Sequence, residues 1–270
     1  MNGVYAEVIG DPIAQSKSPI IHKFWLEKLG IEADYRACHV KAEALCEYIE
    51  SRRNDPNWRG CNVTMPHKLA VMDHVDDPGS VRESIGAMNT LARDKKGELF
   101  GTNTDAAGFF APIAGFPLEG RNVVVIGAGG AARAVLFALS RSAVGNVTIM
   151  NRNVLKAAAL LARFGLKGDA IELGAALPSA SLLINASSLG MAGQDDLPIE
   201  LGNLHGNALV YDLVYSPLKT DLLKAAAAKG LETIDGLSML IGQAAVAFEL
   251  FFQAGAPLEH DDELRRLLIA

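Results

Sequence analysis

Apolar residues recur along the chain in two alternating patterns. Short continuous apolar runs, such as Asn122–Ile126, are typical of strands buried on both faces of a parallel sheet. Between these runs, apolar residues return at helical spacing, as they do over Pro19–Leu29. The alternation of strand and helix predicts an α/β fold built on mostly parallel sheets with helices on both faces.

The pattern divides into two successive runs. In the first, strands are expected at Val4–Ile9, Tyr35–Val40 and Gly60–Thr64, helices at Pro19–Leu29 and Ala42–Arg53, and a hairpin at Asn89–Arg93 and Glu98–Gly101. In the second, strands are expected at Asn122–Ile126, Asn146–Met150, Leu182–Asn185 and Leu209–Asp212, and helices at Ala131–Ser140, Leu155–Phe164 and Leu218–Lys229. Helices from Leu237 to Gln253 and near Glu263–Ile269 complete the prediction. The break between the two sheets is expected near Asn103–Gly120.

Composition narrows the class of protein. The 270 residues are enough for one large domain or two small ones, and 50% apolar with 21% charged residues is typical of globular proteins. The net charge of -6, without a basic run, argues against nucleic acid or an anionic membrane as the main partner. We therefore expect a small-molecule substrate, no nucleic acid and no membrane.

Cysteine and histidine usage indicates a reduced compartment and no metal site. The three cysteines, Cys38, Cys46 and Cys61, fit no zinc spacing, and the histidines form no metal-binding pattern. No apolar segment approaches the length of a membrane span, and Met1–Pro12 lacks the basic and apolar regions of a signal peptide. These features predict a cytoplasmic protein.

The clearest chemical motif is Gly127–Ala132, which follows the strand Asn122–Ile126 and matches G-x-G-x-x-G/A. In this context Gly127 permits a tight turn, Gly129 lets the backbone approach a pyrophosphate, and Ala132 allows close packing of helix on sheet. The helix N-terminus supplies amides and the positive end of a dipole. The motif favours dinucleotide binding, and the alternative is a glycine-rich turn without a ligand.

The end of the next strand distinguishes the two nicotinamide dinucleotides. An NAD site usually has Asp or Glu there, about 20 residues after the glycines, for the ribose 2′-hydroxyl. This strand instead ends in Asn151-Arg152-Asn153, and Lys156 follows one turn later. Because arginine pairs with a 2′-phosphate and an acid would repel it, the pattern predicts NADP. The alternative is that Arg152 is an ordinary solvated surface residue.

Three polar groups in the first run are candidates for the substrate site. Ser16 and Ser18 precede the first helix, where hydroxyls and helix amides can bind a carboxylate, although Ser18 is also a natural N-cap. Asn62 and Thr64 alternate onto one face at the end of a strand, and Lys68 is expected to begin the next helix. A lysine there opposes the helix dipole, which suggests function, while a solvated lysine is the alternative.

Asn103-Thr104-Asp105 ends the hairpin and is expected to start a helix at the junction of the two runs. Asp105 is a candidate functional carboxylate, with simple helix capping as the alternative.

Taken together, these segments resemble the shikimate dehydrogenase family, which also contains quinate/shikimate dehydrogenases. The matching segments occur in the family's order over nearly the whole chain: Ser16–Pro19 (SKSP), Asn62–Lys68 (NVTMPHK), Gly86–Thr90 (GAMNT), Asn103–Asp105 (NTD), Gly127–Ala132 (GAGGAA), Asn151-Arg152 (NR), Asn185–Met191 (NASSLGM), Tyr211–Tyr215 (YDLVY) and Asp235–Ala245 (DGLSMLIGQAA). Singly most of these motifs are weak, but jointly they are highly specific.

The resemblance implies two domains. Residues 1–103, joined by C-terminal helices at about 237–270, would bind substrate and carry out catalysis, and residues 104–236 would form a Rossmann-like NADP-binding domain. The implied activity is that of an oxidoreductase acting on a CH–OH group. It would reversibly reduce 3-dehydroshikimate to shikimate with NADPH, in the biosynthesis of chorismate and the aromatic amino acids.

The resemblance also implies roles for individual residues. Lys68 and Asp105 would form the catalytic pair. The implied substrate-binding residues are Ser16, Ser18, Asn62, Thr64, Lys68, Asn89, Asp105, Tyr215 and Gln243. The implied NADP-binding residues are Gly127, Ala128, Gly129, Gly130, Ala131, Asn151, Arg152, Lys156, Leu213 and Gly236.

Several alternatives stay open at the level of sequence. A relative with relaxed use of quinate or NAD would retain the same motifs. A regulator that senses a dinucleotide without catalysis would share the fold, although retention of Lys68 and Asp105 argues against it. The sequence also leaves open the exact protonation role of Lys68 and the choice between monomer and homodimer.

Overall fold

The computed structural model describes residues 3–269. Met1, Asn2 and Ala270, which the expected domain ranges include, lie outside the described residues.

The described residues form strands and helices that alternate in the order expected for an α/β protein. The strands are β1 Val4–Gly10, β2 Ala33–His39, β3 Trp58–Val63, β4 Thr90–Arg93, β5 Leu99–Thr102, β6 Val123–Ile126, β7 Val147–Met150, β8 Ala170–Ile171, β9 Leu182–Asn185, β10 Leu209–Asp212 and β11 Glu232–Ile234. The α-helices are α1 Ser18–Leu29, α2 Leu45–Arg53, α3 Val81–Ser84, α4 Asp105–Phe110, α5 Gly130–Ser140, α6 Val154–Phe164, α7 Asp221–Ala228, α8 Gly236–Phe252 and α9 Asp261–Ile269. Short 3₁₀ helices lie at Ala42–Ala44, Ala70–His74, Ala111–Ile113, Leu201–Asn203 and Leu258–His260.

The chain divides into two compact units. The first unit reaches to Thr104 and takes in the chain again from Ile241 onwards, and the second unit is Asp105–Leu240. Helix α8 contributes to both, because the division falls after its fifth residue, Leu240.

In the first unit, the described strands form a mixed sheet in the order β2-β1-β3-β4-β5. Strand β1 is central to the parallel part and pairs with β2 and β3, whereas β4 and β5 form an antiparallel hairpin beside β3. The register places Asn62 of β3 opposite Thr90 of β4. Two polar residues in the region expected to bind substrate therefore start from paired positions on adjacent strands.

An aromatic cluster holds the end of helix α8 within the first unit. The His22 ring of α1 stacks on Tyr35 of β2, with centroids 3.9 Å apart, and lies 5.8 Å from the ring of Phe248 of α8. Trp25 packs edge-on against Phe248 at 5.5 Å. Burial of these large rings is the physical reason that the end of α8 belongs with a sheet formed by residues far away in sequence.

In the second unit, the described strands form a parallel sheet in the order β11-β10-β9-β6-β7-β8. Strands β6 and β9 are neighbours although they are distant in sequence, so the strand order reverses between them. In open α/β sheets, ligands bind at the carboxyl ends of the strands at such a reversal.

The apolar strand β6 is buried on both sides, as its sequence predicts. Val123 and Val125 face one hydrophobic cluster, with Ala132 of α5, and Val124 and Ile126 face the other. Alternation of side chains across the sheet explains how one continuous apolar run supplies both clusters. The predicted α/β fold class is confirmed.

Three local expectations were wrong. The helix expected from Leu218 begins at Asp221, because Thr220 caps it by accepting a hydrogen bond from the Leu223 N–H. The helix expected over Ala42–Arg53 is split into a 3₁₀ turn and α2. Lys68 lies in a turn ahead of the 3₁₀ helix Ala70–His74 rather than at the start of an α-helix, so the helix-dipole argument does not apply to it.

Candidate functional site

The turn after β6 has the shape that a dinucleotide requires. Gly127 has a φ of +105°, a left-handed conformation that favours glycine. A Cβ atom there would lie 2.9 Å from the carbonyl oxygen of Ala186, just after β9. The glycine is therefore needed both for the turn and for the close approach of the two strand ends at the point where strand order reverses.

The second glycine of the motif, Gly129, borders open space. A Cβ atom placed on Gly129 would meet nothing within 4 Å, and Gly129 is exposed immediately before α5 begins at Gly130. The amides of the first turn of α5 point outward without an acidic residue among them. This open, amide-lined helix end fits a pyrophosphate, so the residues present suit a dinucleotide.

The end of β7 carries the side chains expected at the 2′-position of the ribose. Arg152 and Lys156 are both exposed, and Asn153 caps α6 by accepting a hydrogen bond from the Lys156 N–H at 2.9 Å. Asn151 donates to the carbonyl of Asn153 at 2.9 Å, which orders the turn. Two cations at a helix N-terminus without a carboxylate in its first turn favour a doubly charged phosphate.

Two buried side chains order the neighbouring strand ends. Asn185 of β9 donates to Asp212 of β10 at 2.9 Å, and Thr220 donates to the other oxygen of Asp212 at 2.6 Å. Burial raises the pKa of Asp212 above the ordinary value, while the hydrogen bonds from Thr220, the Val214 N–H and Asn185 oppose that rise. Asn185 and Asp212 also accept the N–H groups of Ser187 and Val214, so they order the loops after β9 and β10. The loop after β9 borders the glycine turn.

The loop after β10 contains the expected cofactor residue Leu213 and the expected substrate residue Tyr215, and a second expected cofactor residue, Gly236, begins α8. Leu213 is half-buried, and its carbonyl oxygen would lie 2.4 Å from a Cβ atom on Gly236, so α8 must begin with a residue that has no side chain. Tyr215 is also half-buried, and burial raises the pKa of its phenol.

In the first unit, Ser16 and Ser18 lie at the start of α1, but their roles differ from the simple expectation. The N-cap position is occupied by Lys17, and Ser18 is the first helical residue. It is Ser16 whose hydroxyl oxygen accepts the Ser18 N–H, at 3.3 Å. Capping therefore does not account for the hydroxyl of Ser18, and the idea that Ser18 caps the helix was wrong.

The segment after β3 is held in place by its own histidine. His67 is buried, and its Nε2 lies 2.6 Å from the carbonyl oxygen of Val40. The carbonyl of Lys68 accepts the N–H of Met88 at 2.8 Å, so the lysine backbone is tied to the segment that leads into β4. Thr64 and Lys68 are both half-buried. Because its backbone is already ordered, Lys68 loses less conformational entropy on contacting a ligand than a lysine on a flexible loop would.

Polar side chains meet beneath this segment in a buried network. Asn89 donates to Thr104 at 2.9 Å and to Gln243 of α8 at 3.3 Å, and Asn62 donates to Thr90 at 3.1 Å. All five side chains are at most 6% exposed. The structure thus brings together three of the expected substrate residues, Asn62, Asn89 and Gln243, from two strand ends and α8.

Asp105 is buried and begins α4, in the second unit. It is the first helical residue rather than a residue preceding the helix, and a carboxylate there is favoured by the positive end of the helix dipole.

Sequence reasoning missed three members of the buried network. Tyr35 donates to Asn62 at 2.6 Å, and Thr90 and Thr104 contact Asn89. One signal was available: Thr90 and Thr104 adjoin the candidate residues Asn89 and Asp105 in otherwise apolar surroundings. Nothing in the sequence near Tyr35 marks it, because its partner lies two strands away.

Among the described residues, no helix is long and apolar enough to cross a membrane.

Comparison with known proteins matches each unit to one family. Residues 8–91 match the model described as the shikimate dehydrogenase substrate binding domain, and residues 112–189 match the model described as shikimate / quinate 5-dehydrogenase. The chain is 68% identical over 266 residues to shikimate dehydrogenase (NADP(+)) from Sphingopyxis alaskensis, with 98% of this chain and 97% of that protein covered.

Solved structures agree in fold. A shikimate 5-dehydrogenase from Thermus thermophilus, in complex with NADP(H) and shikimate, has a TM-score of 0.87 and 38% identity, and the match covers 98% of this chain and 99% of that one. A quinate dehydrogenase from Corynebacterium glutamicum, in complex with NAD, has a TM-score of 0.85 and 28% identity over 98% of this chain and 99% of that one. The resemblance inferred from the motifs is confirmed, and this chain belongs to the shikimate dehydrogenase family.

Proposed function

We propose that this chain catalyses the reversible, NADP-dependent reduction of 3-dehydroshikimate to shikimate, a step towards chorismate and the aromatic amino acids. The chain is an oxidoreductase that acts on a CH–OH group, and its cofactor is NADP. The observation that carries the proposal is the 68% identity to an NADP-dependent shikimate dehydrogenase over nearly the full chain.

The substrate binds through many neutral hydrogen-bonding groups. Ser16 and Ser18 receive the carboxylate, and Asn62, Thr64, Asn89, Tyr215 and Gln243 receive the ring hydroxyls. Asn62 is buried, and a buried amide that donates to the substrate loses that partner when an analogue lacks the hydroxyl. The cost of leaving it unpaired gives the site its selectivity.

The cofactor binds at the glycine turn and at the ends of β7 and β10. Gly127 to Ala131 hold the pyrophosphate, Asn151, Arg152 and Lys156 hold the 2′-phosphate side, and Leu213 and Gly236 border the nicotinamide side. When bound, NADPH supplies the hydride that the chain itself cannot provide. Arg152 favours NADP over NAD, because NADP has a 2′-phosphate for it to pair with and NAD has a hydroxyl at that position.

Lys68 and Asp105 handle the proton. Reduction of the ketone places negative charge on the carbonyl oxygen, and a group that donates a proton or a hydrogen bond there lowers the barrier. In reduction, the pair Lys68 and Asp105 gives one proton to that oxygen as it becomes the product hydroxyl, and Asp105 accepts a hydrogen bond from that hydroxyl. In the reverse direction the pair, with one proton fewer, takes the hydroxyl proton.

We further propose a cytoplasmic location and a small-molecule substrate, with neither nucleic acid nor a membrane as a partner. The net charge of -6 disfavours polyanionic partners, and the anionic substrate and cofactor are attracted locally by Lys68, Arg152 and Lys156.

Steady-state kinetics with shikimate and quinate, each against NADP and NAD, tests the proposal. The expected result is that kcat/KM is highest for shikimate with NADP. Superiority of quinate with NAD would contradict it and would support the alternative of a relative that uses quinate and NAD. Binding of NADP without turnover of shikimate at neutral or alkaline pH would instead support a dinucleotide-sensing regulator.

A further inference from the structure

A backbone N–H fixes the orientation of the side-chain amide of Asn89, one of the expected substrate-binding residues. The Thr104 N–H donates to Asn89 Oδ1 at 2.7 Å. A backbone N–H can only donate, so the side-chain oxygen of Asn89 must face it, and the orientation of that amide is settled by chemistry.

The hydroxyl of Thr90 lies between Asn89 and a second side-chain amide, that of Asn62, and so fixes the orientation of Asn62 as well. Thr90 Oγ1 lies 3.1 Å from Asn89 Oδ1, an oxygen that can only accept, so the Thr90 hydroxyl donates to it. Having used its one hydrogen there, Thr90 Oγ1 accepts from Asn62 Nδ2 at 3.1 Å. Asn62 must therefore present its NH₂ group to Thr90 and its oxygen to the other side.

On that other side lies the hydroxyl of Tyr35, which donates to Asn62 Oδ1 at 2.6 Å. Strand β1 separates the two, and the register pairs Tyr35 with Ala6 and Asn62 with Val8. Ala6 and Val8 are two residues apart on one strand, so all four side chains lie on the same face of the sheet. Tyr35 is long enough to reach across the intervening strand to Asn62.

We propose that Tyr35 is a positioning residue for the substrate site, and that it acts by holding the Asn62 amide so that Asn62 offers an N–H rather than an oxygen to the substrate. Among the described residues, the second Nδ2 hydrogen of Asn62 meets no acceptor in hydrogen-bond geometry. A hydroxyl or carboxylate oxygen of the substrate is the acceptor it suits. This inference rests on the proposed function, because it assumes that Asn62 contacts substrate.

The ring of Tyr35 is itself held rigidly. It is fully buried, and His22 stacks on it with an interplanar angle of 2°. Phe251 packs on it at a tilt, with centroids 6.3 Å apart. A ring held by these two neighbours delivers its O–H to one place, which is what preorganising a substrate amide requires.

The test is Tyr35→Phe, which removes only the hydroxyl. The expected result is a fall of about tenfold in kcat/KM for shikimate, carried mainly by KM, with the KM for NADP within about twofold of wild type. Tyr48→Phe is the matched control, because Tyr48 is also buried and donates its hydroxyl to an oxygen, that of Glu7 at 2.7 Å, outside the network. Both variants are expected to lower the melting temperature, but only Tyr35→Phe should change the KM for shikimate.

A double-mutant cycle with Asn62→Ala distinguishes positioning from general loss of structure. If Tyr35 acts through Asn62, adding Tyr35→Phe to Asn62→Ala changes kcat/KM by less than about twofold. An undiminished effect in that background would overturn the inference, and so would equal effects of Tyr35→Phe and Tyr48→Phe. The proposed function is judged separately by wild-type turnover of shikimate, so the two can fail independently.

A second pair of variants keeps the inference testable if Tyr35→Phe fails to fold. Thr90→Val removes the hydroxyl that orients Asn62 from the other side, and Thr90→Ser keeps it. The KM for shikimate should rise with Thr90→Val and return close to wild type with Thr90→Ser. If valine and serine gave the same KM, the orienting role of the network would be refuted.

Discussion

The buried histidine of α1 makes the first unit sensitive to acid. His22 is fully buried, and among the described residues neither ring nitrogen has a partner in hydrogen-bond geometry. Burial lowers its pKa from 6.5 to about 3, an effect that the nearby Asn62 side chain offsets only in part. Protonation would place an uncompensated charge among aromatic rings, so the folded state keeps the ring neutral.

The size of the effect follows from the two pKa values. The unfolded chain binds a proton at His22 below about pH 6.5, whereas the folded chain does so only near pH 3, so the free energy of unfolding falls as the pH falls between them. Each pKa unit corresponds to about 1.36 kcal/mol. Acidification to pH 5 spans about 1.5 units and should remove about 2 kcal/mol, and the full difference of about 3.5 units corresponds to roughly 4–5 kcal/mol.

The assay is urea unfolding followed by tryptophan fluorescence at about pH 7.5 and about pH 5. Both tryptophans of the chain, Trp25 and Trp58, are buried in the first unit, so the signal reports the unit that contains His22. His22→Phe keeps a ring stacked on Tyr35 and cannot titrate. The variant should lose about 2 kcal/mol less than wild type between the two pH values.

The control is His39→Asn, which removes an exposed histidine paired with Asp11 at 2.7 Å. This variant should lose as much stability as wild type between the two pH values, because an exposed ion pair contributes little to the free energy of unfolding. Parallel losses in wild type and His22→Phe would refute the reasoning and would mean that other groups cause the acid sensitivity.

Three further variants test the proposed chemistry. Lys68→Ala should lower kcat by about 100-fold or more and change the KM for shikimate far less, because the interaction is used mainly in the transition state. An unchanged kcat would refute a catalytic role. Arg152→Ala should raise the KM for NADP by roughly tenfold and leave that for NAD within about twofold, and equal loss of both would mean that Arg152 is structural. Gly127→Ala should weaken NADP binding measured by fluorescence titration and lower the melting temperature, since its Cβ would meet Ala186 and φ is +105°; wild-type affinity and stability would contradict the need for glycine there.

Much of the fold could be predicted from the sequence, because the spacing of apolar residues along strands and helices reflects which positions are buried in a parallel sheet. Leu182–Asn185 and Leu209–Asp212 form strands with the predicted bounds. The short edge strands β8 and β11 escaped prediction, since β8 is partly buried, two of the three residues of β11 are exposed, and neither has a continuous apolar run. Thr220 escaped as a helix cap because a Leu and a Lys just before it extended the apparent helical pattern.

The candidate site was readable only in part. The glycine turn could be predicted because its strand, turn and helix are consecutive, and Gly127 has the conformation that the motif requires. Ser18 was mistaken for a cap, because sequence spacing alone cannot say which of two nearby serines accepts the amide. Lys68 was placed on a helix, but the segment forms a turn held by His67 and Met88.

The sequence by itself determined the alternation of strands and helices, the family and the cofactor-binding turn, because these depend on neighbours along the chain. Tertiary structure alone decided that Gln243 of α8 meets Asn89, and that Tyr35 reaches Asn62 across β1. The reason is that sheet order and register, together with aromatic packing of α8 on α1, bring distant residues together. The donors and acceptors of this network are ordered from one backbone N–H, that of Thr104, which donates to Asn89 Oδ1. The two residues are far apart in sequence, so no local pattern reveals the contact.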